Sequence, residues 1–256
     1  MTQKQNNTEN GNALWFILIA VVLLGLLTMV LSRGGSSTDQ TGDFEQLRVQ
    51  AAEILRTAKS IEAAVQEMEL RGVSENDISF ENTTSTTDYT NANCDTSSDR
   101  SYPTCQIFNV GGAGLTYKTP STSWLDSSNS GSTYYGDWLF TGNTCIPNVG
   151  EGVDASCNST AGNMELMIIL PYITQNLCNH INRTVSAPTT SGTPPADDGN
   201  TWTDGSAEFA GTFGNSANTL TDNPIADIDN IHTGCFEGGG TPAANTYHFY
   251  HVLKAR

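Results

Sequence analysis

The sequence predicts an α+β protein with an N-terminal transmembrane helix, a long amphipathic helix packed on a small antiparallel sheet, and a disulfide-stapled, loop-rich head. Three observations predict it. Asn10–Ser32 carries no charged residue, and Ala13–Leu31 is apolar apart from Gly25 and Thr28. Phe44, Leu47, Ala51, Ile54, Ala58, Ile61, Val65 and Met68 recur at alternating steps of three and four, the period of one helix face. Six cysteines all follow residue 90, in a stretch rich in Gly, Ser, Thr and Asn.

The first element is the anchor. At about 1.5 Å rise per residue, residues 13–32 are long enough to cross a hydrocarbon core of roughly 30 Å. A cleaved signal peptide has a shorter apolar region ending in a small-x-small site, of which Val30-Leu31-Ser32 is a poor version. The reading is therefore residues 1–12 in the cytoplasm, a span over 13–32 with Trp15 at an interface, and a flexible polar spacer over 33–42. Charges flanking the span nearly balance, so the cysteines set the side. They are even in number and lack a CxxC pair, as expected of disulfides in an oxidising compartment. Zinc ligation would want shorter Cys–Cys or Cys–His spacings. Proximity in sequence suggests the pairs Cys94–Cys105, Cys145–Cys157 and Cys178–Cys235.

The second element is an amphipathic stalk helix over 43–71, with Asp43 as N-cap and Gly72 as the stop just past Arg71. Its apolar face needs cover. A seven-residue repeat suggests helix pairing between subunits, which makes the eight residues an assembly face; Leu55 widens the stripe, which suits packing on a sheet of the same chain.

The head follows, over 72–256. Short apolar runs bounded by turn residues read as strands: Ile78–Phe80, Gln106–Val110, Trp138–Phe140, Met164–Leu170 and Thr246–Leu253. Pro171 fits the first position of a short helix reaching about Arg183, with Cys178 on it. A polar segment, 184–224, carries only Trp202, Phe209 and Phe213 as bulky apolar residues; a loop of that length suggests a functional role.

Composition narrows the function. The chain has 27 acidic and 11 basic residues, net −16, and Lys4 and Glu9 cancel, so the whole imbalance follows the apolar run. That charge repels phosphate backbones, so nucleic acid is excluded as a partner. No nucleophile elbow, zincin, P-loop or dinucleotide fingerprint stands in usable context, so no enzyme and no cofactor is expected. His248 and His251 are three apart on a strand and point to opposite faces, which argues against a shared metal. Asp222, Asp227, Asp229 and Asn230 gather oxygen ligands of the type calcium takes, but without the glycine-centred order of a calcium loop, so a solvated acidic loop explains them better. Trp124, Tyr134, Tyr135, Trp138 and Trp202 could stack on sugars or pack internally.

The apolar N-terminal segment, the long helix, the small sheet and the C-terminal cysteine resemble type IV pilins and the pseudopilins of type II secretion. More closely, Glu9–Ala20 and Gly234-Cys235-Phe236 with Phe249–Arg256 resemble pilin-like membrane proteins of alphaproteobacteria. The resemblance implies a helix packed on an antiparallel sheet and a non-catalytic role in a pilus, pseudopilus or related assembly. It also implies an inner-membrane chain whose head is periplasmic or extracellular, with the lipid bilayer, its own copies and envelope secretion components as partners. Family members are cut after a glycine that precedes phenylalanine and carry glutamate at mature position five; here Gly11 precedes Asn12, and Phe16 takes the glutamate position. The other functional expectation is a tethered adhesin-like or lectin-like module recognising glycan or protein through 184–224.

Overall fold

The computed structural model describes residues 10–95, 102–150, 157, 164–189, 192–214, 218–221 and 227–256. The chain divides into two units, Met1–Arg48 and Val49–Arg256. One helix, α1, runs Asn10–Leu70.

In the first unit the helix presents Trp15, Ile17, Leu18, Val21, Val22, Leu23, Leu24 and Met29 to solvent, each between 51% and 64% exposed. Thr28 turns its hydroxyl back to the Leu24 and Gly25 carbonyls, which lets a polar side chain sit in the run without an open donor. The transmembrane helix expected over 13–32 is corrected: among the described residues, no helix is long and apolar enough to cross a membrane. The expected spacer and the Asp43 cap are corrected too, because residues 33–43 are helical and Asp43 lies inside α1.

The second unit begins on the same helix. Its end matches the expectation: Gly72 at φ +90° lets Gly72 N–H reach Glu69 O and Val73 N–H reach Met68 O, the paired bonds that close a helix on a left-handed residue. Ala51, Ile54, Ala58, Ile61, Val65 and Met68 are all at most 3% exposed.

The sheet has five strands: β1 Leu139–Cys145, β2 Glu165–Ile173, β3 Asn218–Thr219, β4 Thr233–Glu237 and β5 Tyr247–Lys254. Their order is β3-β1-β2-β5-β4. It is a curled half-barrel and it is mixed, since β3 runs parallel to β1 while the other neighbours are antiparallel. The antiparallel expectation fails at this edge because a two-residue strand has no periodicity to read. Ile78–Phe80 and Gln106–Val110 also fail as strands, meeting only through the isolated parallel bridge Ser79–Gln106.

Pro171 sits in β2 and not at a helix start. Pairing with β5 slips between Leu170 and Ile173, where proline has no N–H to offer, and Tyr172 takes φ +58°. The freed Tyr172 N–H bonds His248 Nδ1, and its carbonyl accepts from Asp126. The second helix, α2, then starts later, at Gln175–Val185. One core gathers Leu139, Met167, Ile169, Trp202, Phe236 and Tyr250.

Candidate functional site

The residues with chemical capacity converge where α1 meets β5 and β4. Alternation along β5 sends His248 to one face of the sheet and His251 to the other. His248 is fully buried against the rings of Tyr172, Trp202 and Phe236. Thr246 donates its hydroxyl to Ala243 O, so His248 Nε2–H donates to Thr246 Oγ1 at 2.7 Å while Nδ1 accepts from Tyr172. Burial holds this imidazole neutral, well below the usual histidine range.

His251 faces α1. Its Nε2 meets Glu62 Oε2 at 3.0 Å, and its Nδ1 meets Thr233 Oγ1 at 2.5 Å. Lys59 shares the same carboxylate oxygen at 2.7 Å. Burial lowers His251, opposed by the Glu62 hydrogen bond. On Glu62, burial acts upward, but the Lys59 and His251 hydrogen bonds prevail and keep the carboxyl below its ordinary range. Farther along, Lys254 contacts Glu69 at 2.5 Å and Glu75 at 3.0 Å, and Arg256 contacts Glu75 at 2.9 Å. Hydroxyl, imidazole and carboxylate stand in the order of a general-base relay. Here the carboxylate is shared with an ammonium and the hydroxyl belongs to a sheet residue paired across from the imidazole, so the set works as a tie between helix and sheet.

Two other buried carboxyls carry perturbed titration. Glu165, fully buried on β2, accepts Ile146 N–H on Oε2 at 3.0 Å, and its Oε1 has no partner; burial pushes it up to about 8. Asp197, 2% exposed, accepts from Thr201 Oγ1 at 2.7 Å and from the Thr221 and Gly199 amides; burial raises it to about 6 despite those bonds.

Two hollows flank the tie. One, of about 450 Å³, is lined by Leu55, Lys59, Val185, Ile231 and Thr233. The other, of about 350 Å³, is lined by Glu53, Arg56, Thr57, Phe108, Lys118 and Trp138.

The expected site residues divide. Of the assembly face, Ala51, Ile54, Ala58, Ile61, Val65 and Met68 are buried within their own unit and offer no surface to a second subunit; Phe44 is exposed and Leu47 half-buried. Cys94–Cys105 and Cys145–Cys157 are bonded as expected. The third expected pair, Cys178 and Cys235, is buried with both thiols free. Among the described residues, no group of three or more His, Cys, Asp or Glu could hold a metal ion. Of the calcium candidates, Asp222 lies outside the described residues, Asp229 accepts from Thr221 Oγ1 at 3.1 Å, and the backbone N–H of Asn230 donates to Pro147 O. Trp124, Tyr134, Trp138 and Trp202 are buried and Tyr135 half-buried, so four of the five candidate sugar stackers have their rings inside the head. Trp202 and Phe209 turn 184–224 inward, and bridges Ala196–Glu237 and Asn200–Thr241 tie it down.

Sequence reasoning passed over Glu62, Glu165 and Asp197. An acidic residue interrupting the otherwise apolar run Met164–Leu170 was the available signal for Glu165; Glu62 and Asp197 have none. Compared with protein-family models, curated proteins and solved structures, the chain matches none. The pilin resemblance therefore rests on the sequence features alone.

Proposed function

We propose that the chain is a non-catalytic structural protein of the bacterial cell envelope. It associates with lipid and with its own copies through the apolar run of α1, and its disulfide-bonded head lies outside the cytoplasm. The observation that carries this reading is the set Trp15, Ile17, Leu18, Val21, Val22, Leu23, Leu24 and Met29, each more than half exposed, a surface that single soluble chains rarely present. Two disulfides in the second unit support an oxidising destination. The histidine relay tied into α1 and the inward-facing aromatics support a structural role for the head. Trp202 and Phe209 turn inward, so these two rings do not support recognition through 184–224.

Flotation with phosphatidylethanolamine and phosphatidylglycerol vesicles, together with cross-linking, tests the proposal on the full chain. The wild-type chain is expected to float with vesicles and cross-link to itself. Leu18→Asp/Leu23→Asp is expected to do neither while keeping both disulfides. A wild-type chain that stays monomeric and lipid-free refutes the reading.

A further inference from the structure

Two of the six cysteines are free, and they face each other across the α2–β4 contact. Cys178 is fully buried on α2, and Cys235 is 2% exposed on β4. Their thiols lie within hydrogen-bonding reach of one another, and the Cys178 sulfur also accepts the backbone N–H of His248 from β5.

The scaffold around the pair fixes this approach. Asn182, one turn after Cys178, donates from Nδ2 to the Cys235 carbonyl at 2.9 Å and accepts the Cys235 N–H on Oδ1 at 2.7 Å. Both peptide groups of Cys235 are thus held by a side chain of the helix that carries Cys178. Next to Cys235, Gly234 has no side chain to separate the layers: a Cβ there would lie 3.4 Å from Ala187 Cβ and from Asn182 Oδ1. The chain around α2 and the strand therefore approach closely beside Cys235.

We infer that Cys178 and Cys235 are a disulfide-forming pair, oxidised by exchange with an external disulfide so that α2 becomes covalently joined to β4. This rests on the proposed placement of the head outside the cytoplasm, where such oxidants are maintained. In the first step the Cys235 thiolate attacks one sulfur of the oxidant RS–SR; a Cys235–S–S–R bond forms, and RS⁻ leaves and takes up the proton Cys235 released. In the second, Cys178 gives up its proton and attacks the Cys235 sulfur; the second RS⁻ leaves and takes that proton. Two cysteine thiols lose two electrons and two protons, and one external disulfide becomes two thiols. Burial raises both thiols in the closed head, and the balance is the same if Cys178 makes the first attack. Burial also places the exchange before the contact closes or during its opening, since no external disulfide reaches sulfurs this deep in the folded head. The bond would close the base of the long connection between α2 and β4.

The test uses the full chain isolated from the cells that produce it, quenched in acid, unfolded, and alkylated before and after reduction, with peptide mapping of the linked cysteines. The expected result is no alkylation before reduction and a Cys178–Cys235 peptide pair alongside the other two. Two alkyl groups, on Cys178 and Cys235, overturn this inference and leave the external placement standing. Six alkyl groups overturn both. A bond from either residue to any other cysteine also overturns it.

Discussion

Glu165→Gln is the substitution with the clearest quantitative outcome. The carboxyl is fully buried on β2, with one oxygen on Ile146 N–H and the other unpartnered, and burial lifts it from an ordinary 4.5 to about 8. The folded state holds the proton more tightly than the unfolded chain, so the sign is set. There is no penalty below about pH 4.5, where both states are protonated. From there stability falls as pH rises, by about 1.4 kcal/mol per pH unit, until the folded group ionises near pH 8. The wild type thus gives up about 3 kcal/mol between pH 4.5 and pH 7. Glutamine removes that slope, keeps an oxygen for the Ile146 amide, and leaves an unpartnered N–H₂ that costs roughly 1–3 kcal/mol. The variant is therefore expected to be less stable than wild type at pH 4.5, and level with it or more stable by up to about 2 kcal/mol at pH 7. Urea unfolding of both full chains at pH 4.5, 6, 7 and 8, followed by tryptophan fluorescence, measures the difference. Other titrating groups cancel in the comparison. A difference that stays constant from pH 4.5 to 8 refutes the account of Glu165 as a buried neutral acid.

Four further outcomes follow from the same structure. Burial keeps His251 neutral in the folded state, so the stability it supports is present above the usual histidine range and lost as pH falls below about 6.5; His251→Gln should flatten the acid side of the stability profile measured by circular dichroism. Asp197→Ala strips a partner from Thr201 Oγ1 and the Thr221 amide and should cost about 2–4 kcal/mol in urea unfolding at pH 7. Gly239→Ala would place a Cβ 1.7 Å from the Asp197 carbonyl oxygen, so the chain should lose several kcal/mol or fail to fold; normal yield and melting would contradict this packing. Ala58→Glu buries a carboxylate at a site 1% exposed, and the expected loss is of folding, seen by proteolysis, before any change in association.

Much of α1 was legible in advance because its signals are local. Steps of three and four placed Ala51 to Met68 on one face, and Gly72 marked the stop through its tolerance of positive φ. The same locality explains two bonded pairs, since Cys94–Cys105 and Cys145–Cys157 are 11 and 12 residues apart. Pro171 misled because a helix-start preference and a strand slip use the same property, a missing N–H, and only the β5 register decides between them. The candidate site was least visible. Glu62 and His251 are 189 positions apart, and nothing near either residue announces the other.

By itself, then, the sequence determined two short-range cysteine pairs, a one-faced helix with its stop, and a final strand whose two histidines point apart. Each follows from proximity in sequence or from a period confined to a few turns. Only the tertiary structure decided that the helix face is covered by its own chain, that 184–224 turns its aromatics inward, and that Glu165 and Asp197 are buried carboxyls. Those outcomes depend on which surfaces meet when distant segments pack, and the desolvation that sets the two carboxyls exists only once they have met.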